Sequence, residues 1–186
     1  MSELDAILAD LRTREAQSAT RRDWNPRQRG DIDIRIAADG SWYHQGRRFQ
    51  RDSLVKLFAG ILRRERDEYF LVTPAEKLRI EVEDAPFVAT LVERIDADGE
   101  PALVFTTNIG DRILVDGDHP IRVETDPSSG EPRPYVRARD GLEALISRSA
   151  FFDLANLADE KLRDGSRYLS VTSRGHEFEL GSIDER

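Results

Sequence analysis

Residues 30–84 read GDIDIRIAADGSWYHQGRRFQRDSLVKLFAGILRRERDEYFLVTPAEKLRIEVED. Ile32, Ile34 and Ile36 alternate with Asp31, Asp33 and Arg35, which gives a half-buried strand with one apolar face. Asp39-Gly40 signals a hairpin. Trp42 lies on the return strand, and Gln45-Gly46 turns the chain again. From Asp52, read as a cap, to about Arg66 the apolar residues Leu54, Leu57, Phe58, Ile61 and Leu62 fall at helical spacing. Gly60 inside that run weakens it against alanine. Tyr69 to Thr73 (YFLVT) is apolar without alternation, as in a strand covered on both faces. Thr73 to Lys77 turns, and Leu78, Ile80 and Val82 alternate along a closing strand.

Much of this order recurs after His119. Ile121-Arg122-Val123 parallels Ile34-Arg35-Ile36, and Arg139-Asp140-Gly141-Leu142 parallels Arg51-Asp52-Ser53-Leu54. Leu145 and Ile146 stand for Leu57 and Phe58, and Tyr168 to Thr172 stands for Tyr69 to Thr73. The second helical stretch reads longer, with Phe151, Leu154, Ala155, Ala158 and Leu162 in one stripe that Asp164-Gly165 stops. Between the copies lie strands at Pro86–Ile95, Pro101–Thr107 and Arg112–Val115, joined by turns at 96–99 and 108–111. A fixed order of elements is the signature of duplication. The expected fold is α+β: two similar β-rich halves, each an antiparallel curved sheet with a packed helix. The division is an N-terminal helix at residues 1–20, a first repeat domain at 21–85 and a second at 86–186. The leading helix rests on Leu4, Ile7, Leu8 and Leu11 at i, i+3, i+4, i+7.

The formal net charge is −8, which argues against a nucleic-acid polymer or an anionic membrane as partner. Residues 1–30 hold six arginines against five acids, so the deficit falls on the later residues. Cysteine is absent, which excludes disulfides, thiolate metal sites and cysteine nucleophiles. The N-terminus carries Glu3 and Asp5 and does not read as a secretory signal. No segment approaches the roughly 20 apolar residues of a membrane helix. Together these point to a cytoplasmic protein.

No catalytic motif stands up. His44, His119 and His176 share no metal-ligand spacing. No nucleophile elbow, phosphate loop or dinucleotide fingerprint is present. Asp31 and Asp33 lie about 7 Å apart on a polar strand face, and with His119 they give a hydrolase only as a remote third reading. The chemistry that remains is a polar set at element ends: Arg35, Arg51, Thr73, Glu76, Lys77, Thr107, Asn108, Tyr135, Arg137 and Arg139. Arginine forks, hydroxyls, an amide and an aromatic wall suit a planar ligand bearing phosphate or carboxylate. The same arginines suit ion pairs with the many nearby acids. Trp24, in the arm RRDWNPRQR, is either an anchor on the core or a stacking wall for such a ligand.

The segments WNP (24–26), GDIDIRI (30–36), DGSWYHQG (39–46), YFLVTPAEK (69–77), IEVEDAPFVA (80–89), TTN (106–108), HPIR (119–122), PYVRAR (134–139) and GLEALISR (141–148) resemble the bacterial family called domain of unknown function 1285. The resemblance runs from Trp24 to Leu180. It implies a duplicated fold with a pleckstrin-homology-like C-terminal half, a small-ligand site at the domain interface for a nucleotide-like molecule, and a signalling role. The expected function is therefore non-enzymatic binding of a small anion, with no cofactor and no metal. The alternative is a protein-interaction scaffold that uses the N-terminal helix and an exposed strand edge.

Overall fold

The computed structural model describes residues 24–97 and 99–183. The expected N-terminal helix lies outside them. The chain divides into two units, with the boundary between Glu83 and Asp84.

In the first unit the strands are β1 (Gln28–Ile36), β2 (Trp42–His44), β3 (Arg47–Arg48), β4 (Leu62–Glu65), β5 (Glu68–Val72) and β6 (Glu76–Val82), with helix α1 (Asp52–Ala59) between β3 and β4. They form one sheet in the order β3-β2-β1-β6-β5-β4. All neighbours are antiparallel except β1 and β6, which run parallel. The isoleucine alternation places Ile32, Ile34 and Ile36 in the core with Trp42, Phe58, Leu71, Leu78 and Ile80. Gln45-Gly46 makes a two-residue turn between His44 and Arg47 with φ of 49° and 73°, the positive-φ pair that matches strand twist.

The helix is shorter than its stripe. It ends at Ala59, and Gly60 caps it. Ile61 and Leu62 are buried as the period requires, but Ile61 lies in the turn after the helix and Leu62 begins β4. The Ile61 carbonyl accepts from Val72 N–H at 3.0 Å, and Leu62 pairs with Leu71. A helix that costs about 1 kcal/mol at glycine gives way there to a ladder with the apolar strand β5. The cap position belongs to Arg51, whose side chain makes no capping bond. Asp52 is the first helical residue, where a carboxylate meets the positive end of the helix dipole.

The second unit holds β7 (Phe87–Ala97), β8 (Glu100–Thr107), β9 (Arg112–Leu114), β10 (Ile121–Thr125), β11 (Pro132–Arg137), β12 (Glu143–Ile146), helix α2 (Arg148–Asn156), β13 (Asp159–Arg163), β14 (Ser166–Ser173) and β15 (His176–Ser182). One sheet runs β10-β11-β12-β7-β8-β9 and a smaller one β13-β14-β15. Helix α2 packs on β7 and β14, while β14 lies against β8 and β15 against β10. Two sequence expectations fail here. Leu145 and Ile146 belong to strand β12, not to a helix, and α2 starts only at Arg148, capped by Ser147 Oγ accepting from Ala150 N–H at 3.2 Å. Ala158 and Leu162 do not extend the helix, because Asp164-Gly165 is a hairpin turn between Arg163 and Ser166 with φ of 53° and 84°. Leu162 is 71% exposed on β13.

Duplication is visible in the sheets. Read from its other edge, the second large sheet runs β9-β8-β7-β12-β11-β10, and its one parallel pair is β7 with β12. Each large sheet is thus two three-stranded meanders joined by their first and last strands. In this arrangement β7 holds the central place of β1, and β10, expected to match β1, takes an edge. The order of elements still recurs from β10: three strands, a helix, three strands.

Ser173 ties the two sheets of the second unit together. It is fully buried, donates from Oγ to the Val115 carbonyl at 2.6 Å and accepts from Leu103 N–H at 2.9 Å. Its hydroxyl is inserted between two backbone groups at the point where the chain after β9 leaves β8. Ser173→Ala should therefore orphan a buried donor and a buried acceptor and cost about 1–3 kcal/mol in urea unfolding. Ser128→Ala, in an exposed turn, should stay within about 0.5 kcal/mol.

Candidate functional site

The polar residues expected to hold an anion fall in both units, and most are engaged in contacts of their own. In the first unit, the Trp24 carbonyl accepts from Arg63 at 2.7 Å and its side chain is half-buried. Arg35 pairs with Glu83 and lies 4.6 Å over the Tyr43 ring. Arg51 is exposed at the start of α1. Thr73 is buried and closes the turn before β6, its Oγ1 accepting from Glu76 N–H at 3.1 Å. Lys77 is 3% exposed. Its ammonium lies 4.5 Å over the Phe70 ring and donates to Glu65 at 2.5 Å. That hydrogen bond holds the Glu65 carboxyl below its usual value, against the opposing effect of burial.

In the second unit, Thr107, Asn108 and Arg139 come together around the turn after β8. Thr107 Oγ1 accepts from Asp111 N–H at 3.1 Å, and Asn108 Oδ1 accepts from Val88 N–H at 3.0 Å. Arg139 donates to the Asp111 carboxylate at 2.7 Å and lies 5.2 Å over Phe87. Tyr135 is 5% exposed, donates its hydroxyl to Asp84 at 2.8 Å and accepts from Arg133 Nε at 3.2 Å. Burial and the Asp84 carboxylate raise the phenol above its ordinary range. Arg122 covers the other side of that ring at 4.2 Å while holding Glu143 with two nitrogens at 2.7 and 2.8 Å. Arg137 is exposed on β11.

His119 and Asp31 also have partners. His119 Nδ1 lies 2.9 Å from the Asp116 carboxylate, which accepts backbone N–H bonds from Asp118 and His119 as well. Burial pushes Asp116 up, but these hydrogen bonds outweigh it and the group stays low. Asp31 accepts from Arg79 at 2.6 Å. Among the described residues no group of three or more His, Asp or Glu is placed to hold a metal ion, and no helix is long and apolar enough to cross a membrane.

Two recesses in the second unit lie elsewhere, along α2 beneath the β10–β11 loop. One recess of about 370 Å³ is walled by Pro132, Pro134, Leu145, Ile146 and Phe151, with Arg133 and Arg148 among its polar residues. A second, of about 850 Å³, shares Ser129, Pro132 and Phe151 and extends between β10, α2 and β15. None of the residues picked from the sequence lines either recess. Arg133 and Arg148 sit in ordinary Pro-Arg-Pro and Ser-Arg-Ser contexts. The available signal was the aromatic pair Phe151-Phe152 on a helix with Leu154 as its other large apolar residue.

Fold and cleft together define a class: a duplicated β-rich protein of two units, the second carrying an open recess beside its helix. The chain belongs to the DUF1285 family. The profile of that family's N-terminal domain of unknown function matches residues 21–85, and the C-terminal profile matches 86–180. A crystal structure of a DUF1285 family protein from Silicibacter pomeroyi DSS-3 is similar over 95% of both chains, with 44% identity and a TM-score of 0.83. Another from Shewanella baltica OS155 is 30% identical over 66% of this chain and 90% of its own, with a TM-score of 0.53. No protein with a curated description matches.

The Glu65–Lys77 pair carries a pH signature. Glu65 is lowered by folding, so its contribution is present above its ordinary value near 4.5 and is lost as pH falls through the folded value. Glu65→Gln should lower the urea midpoint at pH 7, and the gap to the parent protein should narrow as pH drops below about 4.

Proposed function

We propose that the protein is a cytoplasmic, non-enzymatic binding protein with a regulatory role. Its second unit, a pleckstrin-homology-like arrangement of packed sheets and one helix, takes a small nucleotide-like ligand through an acidic group. The observation that carries this reading is a solvent-exposed arginine at the lip of a recess whose lining is half apolar, with Asp126 and Glu131 among its polar residues. Arg148 is 91% exposed, and its one ion pair among the described residues, to Glu131, is 3.3 Å long. Arg133, by contrast, is held by Asp84 and Asp126 at 2.6 and 3.3 Å. Phe151, Pro132 and Pro134 offer flat apolar surface for a ring, and Arg148 supplies the fork that reads phosphate or carboxylate. Concave sites of this size, with apolar walls and convergent polar groups, are the usual form of small-ligand sites.

A thermal-shift screen of nucleotides, phosphate esters and acidic metabolites tests it. A specific ligand at 100 times its Kd stabilises by about 2.7 kcal/mol. Arg148→Ala should weaken that ligand by about tenfold or more, as expected for a charged hydrogen bond, without moving the unliganded Tm by more than about 2 °C. No shift with any compound in the screen overturns the reading.

A further inference from the structure

We infer that the second unit also binds an extended, basic peptide, which adds as a strand to the free edge of β10. The inference does not depend on the small-ligand reading. It rests on where backbone groups point. The ladder between β10 and β11 is framed by Arg137 N–H to the Pro120 carbonyl and Asp126 N–H to the Glu131 carbonyl, at 3.1 and 2.8 Å. With the observed register, Arg122 and Glu124 turn their N–H and C=O groups to β11. In an antiparallel pair the intervening residues point the other way, so Ile121, Val123 and Thr125 present theirs at the edge of the sheet. No backbone hydrogen bond among the described residues reaches that edge.

The strand beside it, β15, is also an outer strand, of the smaller sheet. It packs on β10 without pairing with it. A bulge between Leu169 and Ser170 and Gly181 at φ +144° bend it, and the 850 Å³ recess opens there, lined by Val123 and Thr125 on one side and by 179–183 on the other. By element order, β10 and β15 correspond to β1 and β6, which pair directly in the first unit. In the second unit the parallel pairing falls to β7 and β12, and β10 and β15 stay unpaired beside a recess whose lining includes Phe151, Ala155, Leu169 and Leu180. Unpaired edges are templates for another strand, and proteins usually block them. Strand addition takes its affinity from main-chain bonds and its selectivity from alternate side chains in pockets.

Charge selects the occupant. Between Asp84 and Ile183 there are 19 acidic residues against 11 arginines and lysines, whereas residues 24–83 hold 10 against 12. Glu124, Asp126, Glu131 and Glu179 lie on or beside the two strands, each with an arginine partner (Arg122, Arg133, Arg148 and Arg163), so the attraction comes from the acid surplus of the whole unit. A peptide with apolar residues toward the recess and lysine or arginine on the alternate positions fits that field.

The probe is a fluorescein-labelled, amidated Val-Lys-Val-Lys-Val-Lys-Val peptide titrated against the full chain by anisotropy. Two N-methylated versions, at the valines or at the lysines, separate strand addition from charge attraction. One set should lose affinity by about tenfold or more and the other should keep it within about threefold. Thr125→Pro, which deletes an outward N–H and spares the β11 ladder, should also weaken the peptide, and Arg148→Ala should not. No binding at about 1 mM, the floor of useful affinity, overturns the inference. So does equal tolerance of, or equal loss with, both N-methylated sets. Failure of the small-molecule screen leaves it standing, and Arg148→Ala tells the two readings apart.

Discussion

The parallel pairing of first and last strands is the constraint from which the rest of each large sheet follows. A three-stranded meander is marginal alone, because one short sheet face cannot bury enough apolar area to offset the entropy of ordering it. Joining β1 to β6 doubles the face and fixes which side of every strand is inside. Ile36 comes opposite Val82, and Ile34 shares the buried face with Leu78 and Ile80. A slip of one residue would turn that whole set outward. The pairing is non-local: Gln28 meets Glu76. It cannot be nucleated by a turn, so the register must come from the apolar pattern itself. The strict alternation of β1 supplies it.

The second unit repeats the device with β7 and β12 and then departs from it. Its last three strands form a sheet of their own, held to the first by α2 and by the Ser173 hydroxyl between Leu103 and Val115. A large and a small sheet packed on one another and on one helix leave edges that a single closed sheet would not. The two recesses of this unit lie along α2, one against strands β11 and β12 of the large sheet and the other beside the unpaired edges of β10 and β15.

Much of the fold was legible in the sequence. Strand periods and turn dipeptides marked β1, β5, β6, β7, β8, β14 and β15, because alternation and positive-φ turns are local properties. The misread stretches have one thing in common: a helical stripe that tertiary pairing interrupts. Leu62, Ile146 and Leu162 all fall at helical spacing, yet each joins a ladder: Leu62 and Leu162 with the next strand of a hairpin, Ile146 with distant Ala89. Asp164-Gly165 carries the same two letters for a helix stop and for a hairpin turn, and only the presence of a strand on both sides decides between them. Duplication was legible as an order of elements but not as sheet positions, since adjacency of β7 and β12 leaves no local trace.

The candidate site was harder to read for a related reason. Residue type says what a side chain can do, and partner geometry says whether it is free to do it. Tyr135 reads as an aromatic wall, but its ring is covered by Arg122 and its hydroxyl is shared between Asp84 and Arg133. Lys77 reads as an anion ligand and is spent on Phe70 and Glu65. In an acid-rich chain the arginines that stand next to carboxylates in space brace the fold, and those left over are the ones that can read a ligand. Arg148 comes nearest to the second kind because it begins a helix at the lip of a recess and is 91% exposed, with Glu131 its single ion-pair partner among the described residues. That position is a property of the packing between α2 and the β10–β11 loop, so it emerges only once both elements are in place.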